Sequence, residues 1–357
     1  MRSDRYDVLA AAVAERELDA LLVSNVVNVR WLTGFNGTNA VAVVGAAQRR
    51  FVTDFRYLTQ SAQQLDPAWE REIATDLLKR AVERLPAGLA KLGFDDAHLT
   101  VKQYAQLSEL VGQEVELVAA GDVVQSLRAV KDSAEIDAIR RAARLADEAF
   151  EEVVSAGIVD RTEKQVALDL EFAMRRRGAE GASFPSIIAA GEHGAMPHAQ
   201  PRDVRIPAGT LVVIDWGAQL DGYASDCTRT VATGELDPRD RAVYDLVLRA
   251  QQEALQAVRP GPTGKEVDAI ARAIIDDAGH AEHFGHGLGH GVGLAVHEGP
   301  RLSRQADDAL VAGNVVTVEP GVYVPGAVGV RIEDLVAVTA TGHEVLSGLS
   351  KELRVVH

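Results

Sequence analysis

The sequence predicts two domains, a small α/β domain over residues 1–124 and a larger α+β domain over 125–357 built from two related halves. Three observations lead there. The chain has 357 residues, a little over twice the ~150 of a typical domain. Helix-like and strand-like patterns alternate through the first third, and matched segments recur in the remainder. Finally, 47% hydrophobic and 25% charged residues describe a globular chain with ample core material, not a disordered or fibrous one.

In the first domain, helical periodicity appears at 5–17, 75–85 and 100–111, and apolar strand-like runs at 20–23, 40–44 and 92–94. Alternation of this kind packs helices on a sheet. The pattern breaks around Gly121, which puts the boundary near residue 124. Asp132 and Glu135 then stand at capping-box spacing before a periodic run over 136–154 that Gly157 closes, so a helix over 133–156 opens the second domain.

The duplication is internal to that second domain. Thr162 and Gln165 open a helical pattern that stops at Gly178, with Phe184 beyond; Thr263 and Glu266 open another that stops at Gly279, with Phe284 beyond. The cap-to-glycine interval is 16 residues in both. AGTLVVIDWG, starting at Ala208, matches AGNVVTVEPG, starting at Ala312, at an offset of 104. Each apolar run ends on a carboxylate, Asp215 or Glu319, and a second acid follows, Asp226 in SDCTRTVA and Glu333 in VRIEDLVAV. Two halves facing each other bring these four strand-end carboxylates toward a shared axis.

Charge and cysteine content narrow the function. A net charge of −15 disfavours nucleic acid and anionic membrane surfaces as partners. The single cysteine, Cys227, excludes an intrachain disulfide framework and a cysteine-rich zinc module. No apolar run approaches the ~20 residues that span a bilayer. The charged start, MRSDRYDVLA, lacks the apolar segment of a signal peptide, and a cytoplasmic protein is expected.

Asp215 ends an apolar run over 210–214, where burial is expected. Acids are almost never buried unless paired or bound to a metal. Blander readings exist: Asp215 caps the turn at Trp216 and Gly217, Glu319 is a strand-end surface acid, and Asp226 and Glu333 form salt bridges with Arg229 and Arg331. The histidines weigh against them, because five of the ten (280, 283, 286, 290 and 297) fall within 18 residues. Segment 285–294 alternates glycine with other residues. Read as a strand, it places His286, Leu288, His290, Val292 and Leu294 on one face and only glycine on the other, open to a backbone or a ligand. His297 needs a bend to join them. No register fits a phosphate-binding glycine loop, Gly264-Lys265 is followed by Glu266, and His297-Glu298 does not continue into a zincin helix. One or two histidines with four carboxylates suit manganese, cobalt, iron or zinc. Two of the carboxylates can bridge a pair of divalent ions roughly 3.5–4 Å apart, whose charge offsets the clustered acids.

The ordered set Asp215, Asp226, His290, Glu319 and Glu333 resembles the ligand signature of the pita-bread metallopeptidases, the family of methionine aminopeptidase, aminopeptidase P and prolidase. FGHGLGHGVGLAVHE and VEPGVYVPGAVGVRIED are similar to the Xaa-Pro peptidase branch. NVRWLTGFNGTNA and FVTDFRY resemble the creatinase-type N-terminal domain of short bacterial Xaa-Pro peptidases. The likeness spans nearly the whole chain and implies a pita-bread fold with a pseudo-two-fold duplication.

By that resemblance, Asp226 and Glu333 would bridge two metals, manganese foremost, Asp215 would complete one site, and His290 with Glu319 the other. A hydroxide held between the ions would attack the Xaa-Pro bond, with Glu319 handling its proton. His198, His286 and His297 would orient substrate and stabilise the tetrahedral intermediate, and Arg331 would hydrogen-bond near a bridging acid. Each also has an ordinary reading: a loop residue for His198, strand packing for His286, a satisfied core histidine for His297, a salt-bridge partner for Arg331. The expected activity is aminopeptidase P-like on proline-containing peptides; the alternatives are a prolidase restricted to dipeptides and, more remotely, a catalytically dead module that binds peptides. Metal-free hydrolysis of the creatinase type predicts lost ligands, and all five are present. A homodimer assembled through the N-terminal domain is likewise expected from the resemblance.

Overall fold

The computed structural model describes residues 4–46 and 48–357. The chain divides into two compact units between Arg128 and Ala129, within the helix Val123–Ala129; the expected boundary near 124 lies in that same helix.

The first unit is a six-stranded mixed sheet flanked by helices. Its strand order is Glu70–Ile73, Gln48–Thr53, Ala40–Gly45, Ala20–Val23, Lys91–Phe94, Glu116–Ala119. Ala20–Val23 runs antiparallel to Ala40–Gly45 and parallel to Lys91–Phe94. Buried Leu22, Val43, Val52 and Leu92 pack against Leu78 and Ala81 of the Leu77–Glu83 helix and Leu107 of Val101–Val111. Three strands escape the sequence reading, Gln48–Thr53, Glu70–Ile73 and Glu116–Ala119. The last two are the sheet's edges, half-exposed and carrying glutamates, so no apolar run marks them.

The second unit opens with the helix Ser133–Ser155, closed at its start by the reciprocal Asp132–Glu135 capping box. Phe150 of this helix stacks on Trp216 at a ring separation of 4.4 Å, and Trp216 Nε1 donates to the Ala146 carbonyl at 2.9 Å. The duplication is visible in register. Helices Glu163–Arg176 and Gly264–Asp277 both start with a threonine capping box, and Gly178 and Gly279 after them both adopt positive φ. The capping threonines form matching antiparallel bridges, Thr162 with Arg205 and Thr263 with Ala309. The first half contributes the antiparallel sheet Cys227–Ala232, Leu211–Trp216, Ile187–Ala190. The second contributes Glu298–Leu302, Gly289–Gly291, Val315–Val318, Asp334–Val338, His343–Val345, beside a hairpin of Gly321–Val324 and Val328–Arg331. Apolar clusters around Ile214 and Trp216 in one half, and Val247, Val316 and Val336 in the other, hold the sheets against their helices.

Candidate metal centre

One hairpin in each half delivers two acids. Asp215 is the penultimate residue of Leu211–Trp216, opposite Thr228 of the Cys227–Ala232 strand, which Asp226 precedes. Glu319 follows Val315–Val318, and Glu333 precedes Asp334–Val338, with Val318 opposite Asp334. His290 is the middle residue of Gly289–Gly291, next to Val315–Val318 in its sheet.

These positions converge. Carboxylate oxygens of Asp215, Asp226 and Glu333, all buried, lie within 4.8 Å of one another. His290 Nε2 is 3.2 Å from Glu319 Oε1 and 3.6 Å from Asp226 Oδ2. The five candidate ligands share a cavity of about 670 Å³ with His198, His286, His297 and Arg331, a size suited to a small ligand.

Hydroxyls and one guanidinium fix the acids. Thr228 Oγ1 donates to Glu333 Oε2 at 2.7 Å. Thr317 Oγ1 donates to Glu319 Oε1 at 2.9 Å and accepts from the His290 N–H at 3.0 Å. Arg331 donates from Nη2 to Asp215 Oδ2 at 2.6 Å, from Nε to Thr228 Oγ1 at 3.0 Å, and from Nη1 to Tyr323 Oη at 2.8 Å and the Pro197 carbonyl at 3.1 Å.

Several sequence expectations change. The adjacent-arginine salt bridges do not form: Arg229 pairs with Asp334 at 2.8 Å, and Arg331 reaches Asp215 instead of Glu333. The alternating segment 285–294 is a strand only at Gly289–Gly291, with a register shift between His290 and Gly291. Four of its five glycines, 287, 289, 291 and 293, face protein, and Gly285 faces open space. A Cβ on Gly289 would lie 2.0 Å from the Thr317 carbonyl oxygen, and one on Gly291 2.1 Å from that of Gly299. His297 is exposed rather than a core residue, its ring edge-on to His290 with centroids 4.4 Å apart. His286 has both nitrogens engaged, Nδ1 with the Gly287 carbonyl at 2.7 Å and Nε2 with Tyr323 Oη at 3.0 Å. Since the carbonyl only accepts, Nδ1 carries the hydrogen and Nε2 accepts from the phenol.

Tyr323 was not singled out from the sequence. It is buried, with its hydroxyl between Arg331 and His286, and burial pushes that phenol up to about 12. A tyrosine four residues beyond Glu319 was visible, but nothing in its spacing indicates the neighbours that the hairpin supplies.

The electrostatics call for protons or cations among the acids. Burial, reinforced by neighbouring carboxylates, pushes Asp226 and Glu333 well above the usual carboxylate range. Burial also raises Asp215 despite Arg331. Glu319 goes the other way: burial opposes ionisation, but its bond to His290 brings it down to about 2. Burial lowers a histidine, yet the Glu319 carboxylate leaves His290 raised. Four acids thus face one guanidinium and one imidazole. Asp215 Oδ1 is buried with no hydrogen-bond partner among the described residues. His290 Nδ1 lies 3.1 Å from the Gly291 carbonyl and carries a hydrogen, leaving Nε2 aimed at two carboxylates. Such a group is stable only with a proton or a cation between its members. The donor set of carboxylate oxygens and one imidazole fits divalent metal ions.

Known proteins resemble this chain in sequence and fold. Residues 137–340 match metallopeptidase family M24, and residues 5–130 match the creatinase/prolidase N-terminal domain. An Xaa-Pro dipeptidase of Pyrococcus horikoshii is 35% identical over 343 residues, 95% of this chain and 95% of its own. The structure of an Xaa-Pro dipeptidase from Bacillus anthracis superposes with a TM-score of 0.95 at 36% identity, covering 100% of both chains. That of an X-Pro aminopeptidase from Thermotoga maritima gives 0.90 at 35% identity, over 98% of this chain and 99% of that one.

Proposed function

The chain belongs to metallopeptidase family M24, and from that premise we propose that it hydrolyses the peptide bond between an N-terminal residue and a following proline. The observation that carries this reading is the convergence of four buried or half-buried carboxylates and His290 in one cavity, with Asp215 Oδ1 unpartnered. Asp226 and Glu333 would bridge two divalent cations, with Asp215 completing one site and His290 and Glu319 the other. Manganese is the proposed metal; cobalt, zinc and iron also suit these donors. Cations bound there supply Lewis acidity toward the scissile carbonyl and lower the pKa of water.

The protein's own groups do the rest. Thr317 holds Glu319 by Oε1, which leaves Oε2 to take the proton of the attacking water and return it to the departing proline nitrogen. His198 and His297 line the cavity and make no hydrogen bond among the described residues, so their ring N–H groups are available to the carbonyl oxygen as it gains charge. His286 acts at one remove, fixing the Tyr323 hydroxyl beside Arg331. An Xaa-Pro bond has no N–H, so recognition depends on the shape of the proline ring. Phe184, Pro185, Ile187 and Pro197 supply an apolar wall for it.

Removal of the first residue from longer peptides, as by aminopeptidase P, is one form of this activity. A specific observation favours the dipeptidase form: Arg301 lines the cavity with no carboxylate partner among the described residues, a cation suited to the terminal carboxylate of a dipeptide. A homodimer in the cytoplasm completes the proposal on the strength of the family resemblance. The test is turnover of an Xaa-Pro dipeptide against an Xaa-Pro-Yaa-Zaa series, with metal analysis of the fresh protein. Hydrolysis should stop on chelation and return with manganese. Exclusive dipeptide cleavage assigns a prolidase, and cleavage of the longer series the aminopeptidase; chelator-insensitive hydrolysis overturns the reading.

A further inference from the structure

We propose that Glu163 is a positioning residue that sets His198 in the cavity by cinching both ends of the segment 191–201. Glu163 is the first residue of the Glu163–Arg176 helix, a place where a carboxylate normally sits in water beside the helix dipole. Here it is 1% exposed. Five donors reach its two oxygens: the Ala190 N–H at 3.1 Å, the Arg202 N–H at 2.8 Å, Arg202 Nε at 3.1 Å, Arg202 Nη2 at 3.0 Å and His193 Nδ1 at 3.0 Å. That saturates the acceptor capacity of a carboxylate.

The placement of the donors matters more than their number. Ala190 ends the Ile187–Ala190 strand, and Arg202 follows Gln200 and Pro201, both of which line the cavity. One carboxylate therefore joins the two feet of a compact surface loop whose interior carries Pro197 and His198. The first helical turn adds to the clamp, because the Lys164 N–H donates to the Arg202 carbonyl at 3.1 Å. Farther along the loop, Arg331 Nη1 holds the Pro197 carbonyl at 3.1 Å. Gly194 lies so close to Gly329 that a Cβ there would sit 1.7 Å from the Gly194 carbonyl oxygen. His198 itself is exposed to the cavity and makes no hydrogen bond among the described residues, so its position depends on the backbone that carries it. Glu163 holds the ends of that backbone and Arg331 its Pro197 carbonyl.

The inference rests on the role proposed above for His198, and a double-mutant cycle separates the two. Glu163→Gln removes the charge and places an amide among donors. Its kcat/KM should fall about 10- to 100-fold, the effect of misplacing a group by about an ångström, while bound metal per chain stays at the wild-type value. In a His198→Ala background the same substitution should change kcat/KM less than about two-fold, because its route to the reaction is already gone. Hydrogen exchange should quicken across 191–201 and at the Ala190 and Arg202 amides, and not in the metal-bearing hairpins. Arg202→Ala, whose side chain is 42% exposed, keeps the two backbone bonds and guards against misfolding of the first variant; it should show the same pattern at smaller size. Full additivity with His198→Ala, or unchanged exchange across 191–201, overturns the inference. Wild-type turnover by His198→Ala sinks the role of His198 and this inference with it. If no Xaa-Pro peptide is cleaved, the functional reading falls alone and the exchange measurement still decides the clamp.

Discussion

Arg331 Nη2 lies 2.6 Å from Asp215 Oδ2, a charged pair that links the two halves of the second unit. Through its other nitrogens the same guanidinium holds Tyr323, Thr228 and the Pro197 carbonyl, so one planar group aligns an acid, a phenol, a hydroxyl and a loop.

Arg331→Lys keeps the charge and loses the fork. Each charge-assisted bond forfeited is worth about 1.5–3 kcal/mol, so kcat/KM for an Xaa-Pro peptide should drop at least about 10- to 100-fold with folding retained. Steady-state kinetics beside a urea titration measures both; wild-type kcat/KM would detach Arg331 from the site.

Glu319→Gln preserves shape and the bond from Thr317 but removes the proposed proton acceptor. A loss of about 10²–10⁴ in kcat is expected, the usual contribution of a general base. Metal content, read by mass spectrometry, should be compared in the same samples. Full activity in this variant would end the role assigned to Glu319.

Asp147 offers a test of stability away from the centre. It is buried on the Ser133–Ser155 helix, accepts from the Gly348 N–H at 2.6 Å through Oδ2, and has no partner for Oδ1 among the described residues. Burial pushes its pKa up from 3.8 to about 6. The folded protein therefore holds this proton more tightly than the unfolded chain does. The resulting stability is full below the unfolded value and is lost as pH rises through about 6. Asp147→Asn removes that loss. It should be more stable than wild type at pH 8 by about 1–2 kcal/mol, below the ceiling of about 3 set by the pKa difference, with little gain at pH 4. Urea midpoints at the two pH values check it, and an equal change at both would contradict the assignment.

Gly289→Ala drives a methyl into the Thr317 carbonyl, 2.0 Å from where the Cβ must stand. Overpacking of this kind costs about 1–3 kcal/mol, and here it also moves His290 off Glu319, so manganese should bind more weakly. Gly285→Ala meets nothing within 4 Å and should behave as wild type in the same calorimetric titration.

Much of the architecture is legible in the sequence. Asp132 and Glu135 announced the long helix because a capping box is a local device, written in four consecutive residues. The twin boxes at Thr162 and Thr263, and the acids closing two apolar runs, exposed the duplication for the same reason. What escaped was non-local. Tyr323 and the Glu163 clamp acquire meaning only from neighbours across strands and loops. The 285–294 repeat overstated the strand, which is confined to Gly289–Gly291, while the expected approach of another backbone to its glycines is found at Gly289 and Gly291.

The division of the acids between two antiparallel strand pairs has an outcome for truncated chains. Asp215 and Asp226 belong to the earlier half of the second unit and Glu319 and Glu333 to the later one, so a chain cut between them carries only half of the acidic cluster. On the reading proposed above, such a fragment lacks two of the carboxylates that would hold metal and should bind it more weakly than the full chain.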